Sequence, residues 1–335
     1  MLKSLSRALL LSAVLPGLAQ AATSYPYTLQ NCGVTVTVPK APSRVVSVGQ
    51  ATTEILLSLG LADRMVGTAV WFSPLPAELQ AANSGIKRLA DNDPSFEAVV
   101  GQEPDLVTSQ YEWQVGPRGS VGTRPQFGGL GIPTYIAPPD CVGKDNSGGG
   151  DGIRTVPFTT ALIYQEIREL AAIFDVADRG EALVARLQKR EADAVASVAD
   201  VPKDVPVVVW FSSREVKGDA FVAGQTGVPA FLLNKLGERN VIEVRDEWPT
   251  VGWEAIVAKN PAVIVLARMD RRRFPADDVA VKIRFLETDP VTSRLEAVQK
   301  RRFIVIDSQA LNPTMRVVGG LEVLAEGLRS FSLGK

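Results

Sequence analysis

The sequence predicts an α/β protein of two lobes, each built on a mainly parallel sheet and joined by a single long helix. Three observations carry this. Short, near-continuously apolar β-rich runs alternate with helical stretches, as expected for strands covered on both faces. One uninterrupted amphipathic helix stands between two such series. Finally, a segment of the first half recurs in the second at a constant offset of 157 residues.

In chain order, Lys3 and Arg7 precede an apolar run over residues 8–15, which Pro16-Gly17 breaks before Ala19-Gln20-Ala21. This is the pattern of a secretory signal peptide, residues 1–21, cut after Ala21. The run is about half the ~20 residues of a membrane span. No cysteine follows the cut, which disfavours a lipid anchor. The whole chain has a net charge of −1, and losing Lys3 and Arg7 leaves −3. The expected layout is an N-terminal lobe over 22–176, a connecting helix over 177–200 and a C-terminal lobe over 201–335.

The candidate strands are residues 44–48 (RVVSV), 105–109 (DLVTS), 133–136, 206–211 (PVVVWF), 262–267 (AVIVLA) and 302–306 (RFIVI). Between lobes, Asp178 and Glu181 suggest a capping box, and Leu183, Leu187, Ala194 and Val198 mark one stripe through to Asp200. About 22 residues at ~1.5 Å rise span roughly 33 Å, the width of a domain. Pro202 and Pro206 end it. It reads as a rigid connector, with a surface helix inside one domain as the alternative. The internal echo is FEAVVGQEPDLVT (96–108) and WEAIVAKNPAVIV (253–265): a short helix, a proline stop and a buried strand. ILLSLG and LLNKLG form a weaker pair, closed by Gly60 and Gly237 in the position of C-cap glycines.

Composition narrows the chemistry. Of 335 residues, 46% are hydrophobic and 22% charged, which excludes disorder and coiled coil. Lys and Arg number 36 against 37 Asp and Glu, a balance unsuited to nucleic-acid binding through phosphate neutralisation. There is no histidine, which removes Ser-His-Asp and Cys-His machinery and imidazole metal ligands. Ser84 and Lys87 match a four-residue pattern of penicillin-recognising enzymes without its partner motifs. Asp91 and Asp93 could serve a glycosidase, but Pro94 and the helix after it favour capping. No catalytic residue is assigned. The two cysteines, Cys32 and Cys141, suggest a disulfide in an exported chain, with two free thiols as the alternative. Closing a loop of that length would remove about 4–5 kcal/mol of unfolded-chain entropy. The glycine-rich DNSGGGD (145–151), inside a loop-rich stretch at 110–158, reads as a rim loop; bound calcium is the other reading.

RVVSVGQATTEILLSLGLADRMVG (44–67), FEAVVGQEPDLV (96–107), EWPTVGWEAIVAKNPAVIVL (247–266) and RRFIVID (301–307) together resemble the iron-siderophore and cobalamin class of periplasmic substrate-binding proteins. The likeness covers nearly all of the mature chain, in order; the 110–158 stretch departs from it. It implies a soluble, monomeric periplasmic protein with a ligand cleft between lobes, which delivers its ligand to an ABC importer. It also implies that Glu97 and Glu254 dock onto the permease. Strand ends that run into aromatic and cationic residues are the ligand loops of this class: Trp71, Tyr111, Trp113, Arg214, Trp248, Arg268 and Arg316. Trp210 and Trp253 read as core, and Arg271, Arg272 and Arg273 as a solvated loop or a ligand contact. Trp and Tyr supply stacking area, and Arg supplies planar donors to carboxylate or catecholate oxygens. That chemistry suits an Fe(III)-siderophore complex, a small-molecule metal chelate, with no resident cofactor and no metal held directly by the protein. Haem bound through a tyrosinate such as Tyr111, and cobalamin, are the alternatives.

Overall fold

The computed structural model describes residues 22–331 and Leu333; the leader expected at 1–21 lies outside them. Chain order begins with a hairpin, β1 (Tyr27–Asn31) against β2 (Val34–Val38), whose turn is Cys32-Gly33. Both turn residues have positive φ, +52° and +76°, as the tightest hairpin turns require. The first sheet follows: β3 (Val45–Val48), β4 (Met65–Ala69), β5 (Arg88–Ala90), β6 (Leu106–Ser109) and β7 (Thr134–Ile136), ordered β5-β4-β3-β6-β7 and parallel throughout. Next, β8 (Lys144–Asp145) pairs antiparallel with β9 (Ile153–Arg154), so the glycine-rich segment is the tip of a hairpin.

The second sheet contains β10 (Pro206–Ser212), β11 (Ala220–Val222), β12 (Arg239–Asn240), β13 (Thr250–Val251), β14 (Val263–Arg268) and β15 (Phe303–Asp307). Its order is β13-β11-β10-β14-β15, with β12 also beside β10. Strands β12, β14 and β15 join it in parallel, whereas β11 is antiparallel to both of its neighbours. All six strands expected from apolar runs are present within one residue at each end. The repeated segments also land alike: their strands, β6 and β14, each stand one place in from the edge that ends in β7 and β15 respectively. Gly60 and Gly237 are left-handed, with φ of +73° and +80°, as helix-ending glycines are.

The connecting helix is Ala177–Ser197, with Leu183, Val184, Leu187, Glu191 and Ala194 buried along one face. The expected capping box does not form. Val176 occupies the N-cap, and Glu181 turns instead to Arg168 at 2.7 Å. The helix also stops three residues short of Asp200. Nor does Asp93 cap the helix Phe96–Val100: Ser95 does, accepting from the Ala98 amide at 3.1 Å, while Asp93 accepts from Gln114 and Ser120.

One apolar core runs from Val45 and Leu106 of the first sheet, past Ile167 and Leu187, to Val207, Val263 and Leu321. The connecting helix thus lies inside a shared core, and the outer face of each sheet carries its own smaller cluster. Trp210 and Trp253 meet edge-on there, centroids 4.6 Å apart, so both are core residues. Cys32 and Cys141 are bonded, with Cα atoms 5.5 Å apart. The same hairpin is held a second time, because the Asn31 amide donates to the Ile136 carbonyl and accepts from the Ile136 amide, both at 2.8 Å. No helix among the described residues is long and apolar enough to cross a membrane.

Glu166, on the helix Ala161–Ile173, is 1% exposed and its Oε1 has no hydrogen-bond partner. Burial, with a smaller contribution from Glu169, pushes its carboxyl up to about 8. A carboxyl raised on folding adds stability that is complete below its ordinary range and fades as pH rises through the folded value. Glu166→Gln is therefore expected to gain stability relative to the native chain between pH 5 and about 8, by several degrees in Tm. Thermal melts of both chains across that window check this, and parallel Tm profiles would contradict it.

Candidate functional site

In open parallel sheets, ligands bind beyond the carboxyl ends of the strands, where the strand order reverses. In the first sheet that point lies between β3 and β6. Gly49 follows β3 with φ +137°, and a Cβ there would stand 2.2 Å from Cβ of Gln110, so only glycine fits. Two glutamines then tie the loops together. Gln110 accepts from the Ala51 amide at 3.0 Å, and Gln50 accepts from the Phe72 and Ser73 amides at 2.9 and 3.1 Å. The loops after β3, β4 and β6 are thereby fixed around one helix start.

The expected aromatic site residues fall into two hollows. Tyr111, Trp113 and Trp248 line a small one of about 90 Å³ between the lobes, closed on one side by Asn312 and Pro313. The Tyr111 and Trp113 rings stack at 3.9 Å and 10°, and Trp248 leans on Phe211 at 4.4 Å. Charges fill the rest. Lys144, with a side chain 4% exposed, is held by Asp140 at 2.7 Å and Asp151 at 3.0 Å. Burial works against the lysine charge, yet these carboxylates outweigh it and hold Lys144 above its ordinary value. Burial pushes Asp140 up to about 6, against the pull of Lys144 and of the Glu112 amide. Burial first, then Asp151, Asp140 and Asp93, push the Tyr111 phenol far up, so its hydroxyl keeps its proton.

Trp71 lines a second hollow, about 660 Å³ and open to solvent. Its ring carries the Arg88 guanidinium 5.1 Å from the centroid, and its buried indole N–H has no partner. Arg271 reaches it from the other lobe, donating to the carbonyls of Trp71 at 3.2 Å and Asp91 at 2.9 Å and bonding Asn92. Of the three consecutive arginines, this one bridges the lobes. Arg272 pairs with Asp278 in its own lobe.

Arg316 lines a third hollow of about 490 Å³, together with Glu54, Asp307 and Met315. Its guanidinium embraces Glu54 with contacts of 2.5 to 3.2 Å and also donates to Ser73 at 2.9 Å and Pro74 at 2.8 Å. The Glu54 side chain is 3% exposed, and burial pushes its carboxyl up against the hold of Arg316. Arg268 is exposed and paired with Asp307 at 3.3 Å. Arg214 lies in a separate shallow hollow of the second lobe with Asp219 and Phe221, apart from the aromatic residues. Glu97 and Glu254 are exposed, each in the first turn of its short helix.

Several residues escape sequence reasoning. Arg154 is almost fully buried (side chain 1% exposed) and joins Glu247 of the other lobe at 2.9 Å. Its remaining donors reach the carbonyls of Pro139 and Val142. Nothing local marks an arginine in a glycine-rich loop as buried. Glu54 had a signal, as a lone carboxylate in the apolar run TTEILLSLG.

Two helix-linked lobes with facing aromatic and cationic walls define a solute-binding protein that holds its ligand between domains. Comparison with known proteins agrees. A model described as "Periplasmic binding protein" matches residues 45–310, and the chain belongs to that family. Over 308 residues it is 23% identical to an uncharacterised ABC transporter substrate-binding lipoprotein, YvrC, of Bacillus subtilis, covering 91% of this chain and 86% of the relative. It is 25% identical over 235 residues to a vitamin B12-binding protein of Photorhabdus laumondii, covering 68% and 71%. The crystal structure of an ABC-type Fe3+-hydroxamate transport system from Saccharomonospora viridis superposes with a TM-score of 0.71 at 26% identity, covering 91% and 99%. The chain is a solute-binding protein of the ABC-transporter type and not an enzyme.

Removing one partner of a buried ion pair strands the other charge. Arg316→Ala is expected to cost about 3–5 kcal/mol in urea denaturation. The double replacement Glu54→Leu with Arg316→Met should recover most of that loss. A single variant as stable as the native chain would contradict this account of the bridge.

Proposed function

We propose that the protein, exported to the periplasm after loss of residues 1–21 and acting as a monomer, captures a ferric-siderophore complex between its lobes for an ABC importer. The observation that carries this is the pairing of aromatic with cationic side chains at the strand ends: Tyr111, Trp113 and Trp248 in one hollow, and Trp71 with Arg88 and Arg271 in the other. Flat rings accommodate the organic shell of a chelate, and guanidinium groups suit its anionic oxygens. Among the described residues no group of three or more His, Cys, Asp or Glu side chains is placed to hold a metal ion. On this reading iron arrives already wrapped by its chelator. Haem bound through a tyrosinate such as Tyr111 stays a competing reading, and the burial that raises the Tyr111 phenol works against ionising it. Cobalamin remains the second reading, supported by the relative named for vitamin B12.

Calorimetric and thermal-shift titrations with ferric siderophores, haem and cobalamin test the assignment. One ligand per chain is expected, with about 2.7 kcal/mol of added stability at one hundred times its Kd. Quenching of Trp71 or Trp113 fluorescence should accompany it. No heat and no shift with any ferric siderophore would remove the reading.

Glu97 and Glu254 are read as the permease contacts, one on each lobe. Each also lies in a helix's first turn, where the dipole favours a carboxylate by ~0.3–1 kcal/mol. That placement alone would give no transport phenotype. Glu97→Ala and Glu254→Ala are expected to leave folding and ligand affinity nearly unchanged while lowering uptake, and the double variant should lower it further. Native uptake by the double variant at normal abundance would refute this role.

A further inference from the structure

The hollow lined by Tyr111, Trp113 and Trp248 measures about 90 Å³, whereas a pocket for a chelate-sized molecule needs several hundred. Its walls are packed with charges that satisfy one another. The hairpin at 144–154 brings Lys144 and Asp151 to the rim, and its last residue, Arg154, crosses to Glu247. The other donors of Arg154 grip the Pro139 and Val142 carbonyls, next to the cystine at Cys141. One buried guanidinium therefore fastens the disulfide-anchored turn of one lobe to the loop of the other that carries Trp248. A carboxylate against a buried arginine is also the contact that an anionic oxygen of a ligand would make.

We propose that the hairpin at 144–154 is a gate over this hollow, latched by Arg154 and Glu247, and that an anionic chelate opens it by taking the place of Glu247 on Arg154. The inference rests on the reading of the cleft as a ferric-chelate site. It adds a residue for anion recognition and a barrier to entry. The tip strands are two residues each, while Asn146 donates to the Asp140 carbonyl at 2.7 Å and Arg118 to the Ser147 carbonyl, contacts that opening must carry along or break. The base is fixed by the cystine and by Phe158, whose amide donates to the Thr226 carbonyl at 2.9 Å. Opening exchanges one charge-assisted contact for another, so the buried arginine is never left alone. A neutral chelate must break the latch without supplying that replacement.

Two measurements on the full chain test this. In the ligand-free protein, Glu247→Gln should speed hydrogen exchange of the 144–154 amides roughly tenfold relative to the native chain, with the exchange of β3 and β6 unchanged. Unchanged exchange in the hairpin overturns the latch, whatever ligand the protein takes. In fluorescence titrations with an anionic ferric tris-catecholate and a neutral ferric trihydroxamate, Glu247→Gln should tighten binding of both. Arg154→Gln should tighten the neutral chelate and weaken the anionic one roughly tenfold. Equal shifts for both chelates in Arg154→Gln would overturn anion recognition by this residue. If neither chelate binds any of the three proteins, the ferric-chelate reading and the anion exchange built on it both fail, while the exchange measurement still decides whether the hairpin is latched. Should Arg154→Gln not fold, Arg154→Lys takes its place: the anionic chelate should lose affinity relative to the neutral one, and equal shifts overturn anion recognition.

Discussion

The guanidinium of Arg316 wraps around Glu54 in a place where neither charge has much water, and the relation between the two lobes follows from that contact. A buried ion pair of this kind offers little net stability, since desolvation of both groups offsets their attraction. Its effect is geometric. A planar fork with partners in Glu54, Ser73 and Pro74 admits one orientation, and those partners belong to the opposite lobe. The start of the helix Val317–Ser330 is thereby fixed against the helix Gln50–Ser58. Ser73 and Pro74 line one hollow, while Asn312 and Pro313, a few residues ahead of Arg316, line the other. The ionic contact itself lines a third hollow, beside Leu183 and Leu187 of the connecting helix.

The other inter-lobe contacts repeat this economy with different signs of traffic. Arg154 extends from the first lobe to a carboxylate of the second, and Arg271 extends from the second to carbonyls of the first. Each arginine fills a geometry with several acceptors that a lysine could not fork across. Beneath them the shared apolar core runs through the connecting helix, so the hinge side is held by burial and the mouth by polar contacts. The two kinds of interaction differ in how they yield. Apolar packing resists separation over its whole area, whereas a hydrogen-bonded pair can be exchanged for another partner at small net cost.

Much of this was legible beforehand, for physical reasons that also mark where reading stops. Doubly covered strands must be apolar without interruption, so β3, β6, β10 and β14 announced themselves. The repeated helix–proline–strand unit carried the relation between lobes. β11, β12 and β13 were not legible, because two- and three-residue strands contain too little sequence for any period. Aromatic residues at strand ends pointed to the cleft, since loops there have few other reasons to carry Trp. Arg214 shows the weakness of that rule: the same kind of position faces outward when its strand leads toward the antiparallel β11. The contact of Arg154 with Glu247 was invisible because 93 residues separate them, and the local pairing of Lys144 with Asp140 and Asp151 was missed because nothing in the sequence marks it as buried.

The amino-terminal hairpin is attached to the first lobe twice, once by a cystine and once by the Asn31 side chain, which copies a strand's pair of hydrogen bonds onto Ile136. Arg124 steadies the same asparagine at 2.7 Å. These noncovalent bonds already bring the hairpin turn beside the segment that follows β7, so the thiols can meet before any oxidant acts. The covalent link and the asparagine therefore specify the same docking, so reduction removes one of two fastenings and not the docking itself.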